Sequence, residues 1–260
     1  MYKEILARVA QGYRTTKYPK GAPPALPDRF RGLPRIDASA CPPDCRACSE
    51  ACPVSAIAPQ TKVVDLGACL FCADCVEACP AGALAFTKDY RLSVRNRRDL
   101  LLAPGDEGLN LAAELDASMK RLFGRSLKLR QVSAGGCNAC EADVNVLGTI
   151  GWDLGRFGIQ FVASPRHADG ILVTGPVSKN MELALRKTYD AVPEPKIVIA
   201  SGACAISGGL YSGHKEVVGG LETLLPVDLY IPGCPPHPLT TLDGLLRLLG
   251  RLEKEKRLPR

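Results

Sequence analysis

From residue 127 onward, short apolar runs alternate with longer amphipathic segments. Runs at 127–132, 159–163, 171–174, 197–200 and Leu229–Ile231 are dense in Val, Ile and Leu and are bounded by Gly, Pro or polar residues. That pattern predicts buried strands. Between them, 139–149, 178–189 and 239–252 carry apolar residues at helical spacing. Strand and helix in alternation predict an α/β domain on a parallel sheet, with a flavodoxin-like strand order.

Three of these runs lead into glycine-bearing loops that also carry cysteine. Gly135 and Gly136 precede Cys137 and Cys140, Gly202 precedes Cys204, and Gly233 precedes Cys234. In an open parallel sheet, ligands gather beyond the carboxyl ends of the strands. The placement predicts one buried metal or cluster site, made by four thiolates from three loops, with glycine letting backbone approach closely.

Upstream the pattern changes. Residues 1–9 predict a short helix, and Pro19, Pro23, Pro24, Pro27 and Pro34 then predict an extended arm completing residues 1–40. A disordered leader is the alternative that composition leaves open. Residues 41–88 are a repeat: Cys41-x3-Cys45-x2-Cys48-x3-Cys52-Pro53 is echoed by Cys69-x2-Cys72-x2-Cys75-x3-Cys79-Pro80. In this motif three close cysteines hold one 4Fe-4S cluster, and the fourth, before proline, reaches the cluster of the other half. By that rule Cys41, Cys45, Cys48 and Cys79 hold one cluster, and Cys69, Cys72, Cys75 and Cys52 hold the other. Two four-cysteine zinc sites also use pairs separated by two residues. Four close cysteines ending in Cys-Pro, twice over, favour a two-cluster ferredoxin domain. Pro42, Pro43 and Asp44 put three residues where two are usual, so the first ligand loop is wider and Cys41 is the less regular ligand.

Residues 89–126 read as a linker to the second domain, which occupies 127–260. The linker carries Arg91, Arg95, Arg97 and Arg98, a turn at Pro104-Gly105, and an amphipathic stretch at 109–123. Leu111, Leu115, Met119 and Leu122 there predict a helical packing stripe.

Composition sharpens the chemistry. Of 12 cysteines in 260 residues, eight lie between Cys41 and Cys79, which argues for two domains. No apolar run is long enough to span a bilayer, and Lys3, Glu4 and Arg8 interrupt the first segment where a secretory signal would be continuous. A cytosolic setting is expected, where thiols stay reduced and cysteines serve as metal ligands rather than disulfides. The net charge of +6 suits an anionic membrane surface or an acidic partner. With only 5% aromatic residues and no zinc-finger histidine pairs, nucleic acid is not an expected partner. The absence of a glycine-rich strand-to-helix fingerprint argues against a dinucleotide and hydride transfer. Glu141, beside a candidate ligand at a helix start, reads either as first-turn stabilisation or as a proton-handling group. Arg166 and His167 lie in a loop and suit a partner contact or a structural role. His214 and His237 stand alone, and Trp152 and Phe157 read as packing.

The motifs Gly136-Cys137-Asn138-Ala139-Cys140-Glu141, Ser164-Pro165-Arg166-His167-Ala168-Asp169, Ser201-Gly202-Ala203-Cys204 and Ile231-Pro232-Gly233-Cys234-Pro235-Pro236 carry a family resemblance. The C-terminal domain resembles the small subunit of membrane-bound (group 4) nickel-iron hydrogenases, particularly the formate hydrogenlyase group, and the homologous cluster-bearing subunit of respiratory complex I. The N-terminal domain resembles the ferredoxin-like subunit of the same complexes, on Tyr18-Pro19, Phe30-Arg31-Gly32-x-Pro34, the cysteine repeat and the tail over 90–101. The chain thus looks like a fusion of two subunits.

The resemblance implies that Cys137, Cys140, Cys204 and Cys234 bind the proximal 4Fe-4S cluster. It implies three 4Fe-4S clusters in all and an electron-relay subunit without its own catalytic residues. Expected partners are a hydrogenase-type large subunit, membrane-anchor subunits, and a soluble ferredoxin or dehydrogenase subunit as donor. The expected location is peripheral, on the cytoplasmic face of the cell membrane. Complex I subunits have adjacent cysteines where Cys137 and Cys140 are separated by two residues, so the spacing is of the hydrogenase type. A complex-I-like or sulfur-reducing oxidoreductase is the alternative.

Overall fold

Helix α1 (Tyr2–Gln11) opens the computed structural model, which describes residues 2–42 and 44–252. Met1 of the expected first helix, Pro43 of the widened ligand loop and 253–260 at the end of the expected second domain lie outside the described residues. α1 stops at Gly12, where a φ of +65° lets the Gly12 N–H donate back to Arg8 O at 3.2 Å. The proline-rich stretch beyond is held to the rest of the chain. The Thr16 N–H donates to Gly151 O at 2.8 Å, Arg156 donates to Thr16 O at 2.6 Å, and Lys88 donates to Pro27 O at 2.8 Å. Tyr18 is buried and donates its hydroxyl to Asp243 at 2.7 Å. An arm laid along the protein, rather than a free leader, follows from these bonds.

The cysteine repeat contains β1 (Pro34–Ile36), α2 (Ala47–Glu50), β2 (Val64–Asp65), α3 (Asp74–Glu77) and β3 (Leu84–Phe86). β1 pairs antiparallel with β3, and α2 lies against α3. Downstream, β4 (Leu101–Leu102) pairs antiparallel with β2. The helix expected over 109–123 is confined to α4 (Ala117–Phe123). Asp116 starts it, its carboxylate accepting the N–H groups of Ser118 and Met119, both at 2.9 Å. Ahead of Asp116, the Ala112 N–H donates to Ser93 O and the Leu115 N–H to Leu248 O, so these residues follow other segments instead of coiling. The apolar stripe differs accordingly: Ala112, Leu115 and Phe123 are buried, whereas Leu122 is exposed.

The second half is built from β5 (Leu127–Ser133), α5 (Ala139–Val146), β6 (Ile159–Phe161), β7 (Gly170–Thr174), α6 (Lys179–Asp190), β8 (Ile197–Ser201), α7 (Ala203–Ser207), β9 (Leu229–Ile231) and α8 (Pro238–Leu248). All five strands are parallel, in the order β6-β5-β7-β8-β9. Counted within this half, that is the flavodoxin-like order, with its topological switch between β5 and β7. Every residue of β7, β8 and β9 is buried, which is why those runs are continuously apolar instead of alternating.

Both sheet faces are covered. On one, Val132, Val173, Val198 and Ala200 pack in a single core with Leu33, Ile57, Leu66, Leu84 and Leu100 from the cysteine-rich half. On the other, Leu129, Leu172, Ile199 and Ile231 pack with α5 and α8. Burying each such side chain contributes roughly 1.5–3 kcal/mol, so the shared core fixes the two halves against one another. The linker joins this architecture too: Val94 and Tyr230 exchange backbone hydrogen bonds of 3.1 and 2.9 Å, adding an antiparallel bridge to the open edge of β9. Among the described residues no helix is long and apolar enough to cross a membrane.

Candidate metal centres

The carboxyl ends of β5, β8 and β9 bring four cysteines together. Cys137 and Cys140 come from the β5–α5 turn, Cys204 from α7 immediately after β8, and Cys234 from the loop after β9. Cys140 interacts electrostatically with Cys204, Cys234 and Cys137. The backbone around them leaves no room for side chains. A Cβ at Gly202 (φ +92°) would stand 2.6 Å from Cys140 Sγ, and one at Gly209 would stand 2.7 Å from Cys204 Sγ. Asn138 takes a left-handed φ of 70° between Cys137 and the first turn of α5, a conformation that asparagine tolerates better than most residues.

Cys140 and Cys204 are the more shielded of the four. Burial, with Glu141 and the neighbouring cysteines adding to it, pushes Cys140 up to about 12; burial and Cys234 push Cys204 up to about 11. Cys137 and Cys234 are exposed, so the group opens on one side to the surface. Ser201, at the end of β8 beside Gly202, has a fully buried hydroxyl with no hydrogen-bond partner among the described residues. An inorganic group bearing sulfur acceptors fits such a place: it takes four thiolates, fills space that a Cβ would occupy, and offers partners to an orphaned donor.

Glu141 is buried next to this group. Burial opposes its ionisation, but donors at Ser133, Thr174 and its own backbone N–H outweigh that and hold the carboxyl below its ordinary value. The Thr174 hydroxyl donates to it at 2.7 Å. The carboxylate thereby joins the start of α5 to the end of β7.

The repeat brings its eight cysteines into two groups. Cys48 is pushed up by burial, against the pull of Lys62, and interacts with Cys41, Cys79 and Cys45. Burial pushes Cys69 up to about 12, and it interacts with Cys75, Cys52 and Cys72. Burial likewise pushes Cys75 up to about 11. Cys79 thus meets the first triplet and Cys52 the second. Two backbone donors point at sulfur, Ala56 N–H to Cys52 Sγ at 3.2 Å and Phe71 N–H to Cys69 Sγ at 3.3 Å. The cavity between Cys52, Cys69, Cys72 and Cys75 is otherwise apolar, walled by Ile57, Val64, Leu84 and Phe86 among others.

Among the described residues, no three His, Cys, Asp or Glu side chains converge on one point as a single metal ion requires. The amide donors at Cys52 and Cys69 and the apolar walls around them suit a group whose sulfurs accept hydrogen bonds.

Electrostatic interactions also link the groups. Cys75 interacts with Cys48 of the first group, and Cys234 with Cys72 of the second. Neither link was readable from spacing. Nor were two charged supports: Lys62, whose ammonium donates to the carbonyls of Cys45 and Pro59, and Arg97, bidentate on Asp65 just before Cys69. Arg166 and His167 are exposed and lie by the amino end of β7, the opposite end of the sheet from the cysteine loops. His214 is exposed and accepts from the Glu216 N–H. His237 caps α8, its Nδ1 accepting the Leu239 N–H at 3.1 Å, and packs edge-on to Phe30 and Trp152. Phe157 is packed against the α8 side of the core.

A parallel α/β sheet carrying four cysteines beyond its strand ends, sharing a core with an eight-cysteine repeat, defines an oxidoreductase component of the electron-transport type. The chain belongs to the NADH ubiquinone oxidoreductase 20 kDa subunit family, whose sequence profile matches residues 137–248. That match begins at Cys137, so the repeat lies outside it. Formate hydrogenlyase subunit 7 of Escherichia coli (strain K12) is 43% identical over 143 residues, covering 55% of this chain and 56% of that protein. An NADH-quinone oxidoreductase subunit of Desulfovibrio desulfuricans is 46% identical over 121 residues, covering 46% of this chain and 66% of that protein. A probable membrane-bound hydrogenase subunit of Pyrococcus furiosus is 39% identical over 138 residues, covering 53% of this chain and 83% of that protein. The chain thus spans little more than half the length of the Escherichia coli relative.

Proposed function

We propose that this chain is the electron-relay subunit of a membrane-associated nickel-iron hydrogenase complex, with three 4Fe-4S clusters and no catalytic residue of its own. In this reading Cys41, Cys45, Cys48 and Cys79 hold the first cluster and Cys52, Cys69, Cys72 and Cys75 the second. Cys137, Cys140, Cys204 and Cys234 hold the third. When bound, each cluster supplies a one-electron redox centre whose potential depends on burial and hydrogen bonding.

The observation that carries the reading is the chain of electrostatic neighbours from Cys48 to Cys75 and from Cys72 to Cys234. It supports an order in which the repeat's two groups lead to the group at the sheet. The residues bind and insulate: thiolates ligate, the Ala56 and Phe71 amides donate to ligand sulfur, and the apolar walls exclude water. The side opened by Cys137 and Cys234 is where a large subunit with the nickel-iron site would sit. Membrane-anchor subunits and a soluble ferredoxin or dehydrogenase donor complete the complex, peripheral to the cytoplasmic face of the membrane.

The separated pair Cys137 and Cys140 favours the hydrogenase type over complex I subunits, whose two cysteines are adjacent; sulfur-reducing relatives that keep this spacing are told apart by metal content. The test is the iron, nickel and zinc content of the complex isolated anaerobically through a tag on this chain. About twelve irons per chain with near-stoichiometric nickel is the expected result. Iron at that level without nickel would move the assignment to the alternative, and zinc in place of iron would overturn the clusters.

A further inference from the structure

Helix α1 has an apolar face that none of the described residues covers. Tyr2, Ile5, Leu6 and Val9 recur at i, i+3, i+4 and i+7, the spacing of one helical stripe. All four are exposed, at 74%, 57%, 50% and 74% of their surface, and no residue of α1 is buried. Leaving that stripe in water forgoes the burial that ordinarily makes so short a helix stable.

The charges around the stripe say what kind of surface covers it. By helical geometry Lys3 and Arg8 border the stripe on its two sides, next to Ala10 and Ile5 respectively, whereas Glu4 lies on the opposite pole. Arg14, Lys17 and Lys20 follow in the next turn of chain, so the first twenty residues hold five basic side chains against one acidic one. Basic residues at both borders of an apolar stripe, with the acid turned away, match an interface of hydrocarbon beneath anionic headgroups. A groove in a partner protein would not need cations on both borders. The root of the helix is tied down: Thr15 donates to Ile150 O at 3.0 Å and the Thr16 N–H to Gly151 O. Ile150 itself is 74% exposed, and Tyr13, between the root and α1, is 75% exposed. Both stand near the root of the helix as further exposed apolar side chains.

We propose that α1, with Tyr13 and Ile150, is a lipid-surface anchor that lays the chain on an anionic bilayer with the helix axis in the membrane plane. The inference is independent of the cluster assignment. Its test is flotation of the cluster-loaded chain with vesicles of phosphatidylcholine alone and of phosphatidylcholine with phosphatidylglycerol, read beside the chain's visible absorption. Binding to the anionic vesicles is expected to exceed binding to the neutral ones by about tenfold or more, and to fall by at least about tenfold in Ile5→Glu/Val9→Glu. Because no residue of α1 is buried, that variant should keep the wild-type absorption and unfolding midpoint.

Three results would overturn the proposal. Absence of binding to either vesicle would assign the face to a protein partner. Equal binding by wild type and the double variant would reduce the effect to adhesion by the basic residues. A wild-type preference for neutral lipid would contradict the charge argument.

Discussion

Arg97 grips Asp65 with two parallel hydrogen bonds, Nη1 to Oδ1 at 2.8 Å and Nη2 to Oδ2 at 2.6 Å. The same carboxylate accepts the Gly67 N–H at 2.9 Å, and Asp65 O receives the Cys69 N–H at 3.0 Å. A Cβ at Gly67 would collide with the Arg97 guanidinium at 2.6 Å and with Ile206 of α7 at 2.8 Å. The pair therefore sits where the second cysteine group meets the helix that carries Cys204. Arg97→Lys keeps the charge and loses the fork. With both side chains mostly covered, it should cost about 1–2 kcal/mol in denaturant unfolding. Arg97→Ala, which strands the carboxylate, should cost more; equal midpoints for wild type and Arg97→Ala would show the pair to be idle.

On the proposed three-cluster reading, Gly202→Ala should remove one cluster and leave two. Its Cβ would meet Cys140 Sγ at 2.6 Å, and its φ of +92° is unfavourable for alanine. The two groups in the repeat do not involve this loop. Iron per chain is expected to fall from about twelve to about eight. A variant retaining full iron would place the third cluster elsewhere.

His237 should make stability fall in mild acid. Burial lowers its pKa below the ordinary 6.5, so the unfolded chain takes up a proton that the folded chain resists. The stabilising contribution is whole above that ordinary value and shrinks as pH drops through it toward the folded value. His237→Asn keeps a side-chain acceptor at the cap of α8. Unfolding midpoints measured between pH 7 and 5 should decline less steeply in the variant, and parallel declines would assign the acid sensitivity to other groups.

Glu141→Gln separates anchoring from proton handling. A carboxylate held ionised by Ser133 and Thr174 is poorly poised to pick up protons near neutrality. If it anchors α5 to β7, the amide variant should lose about 1 kcal/mol of stability. The pH profile of electron transfer in the assembled complex should then keep its shape. A profile displaced along the pH axis would assign a proton to this residue.

Much of the fold was legible because burial on both sides writes continuous apolar runs. Gly170–Thr174 and Ile197–Ser201 are such strands, each within a residue of expectation. The strand order followed from the alternation with helices. α4 was overread because Leu111, Leu115, Met119 and Leu122 fit a helical period by coincidence. Leu115 is buried by pairing its N–H with Leu248, and Leu122 faces solvent. Local period cannot reveal that a segment follows another part of the chain.

At the cysteines, glycine and cysteine recurring after β5, β8 and β9 pointed to three loops, and the fold brings those loops to one end of the sheet. Spacing could not announce that Cys72 lies near Cys234, because their separation of more than a hundred and fifty residues is closed only by the shared core. His237 looked isolated for a similar reason. Its partners are a backbone amide two residues on and two aromatic rings from distant segments.

The bridge between Val94 and Tyr230 bears on solubility as well as architecture. A parallel sheet ends at β9 with unpaired amides and carbonyls, and an uncovered edge of that kind invites the same strand from another copy. The linker occupies the place that such an intruder would take. Separating the two halves into independent polypeptides would leave the α/β half with a sticky margin, unless the segment around Val94 travelled with it. Covalent continuity here acts as a built-in guard against self-association.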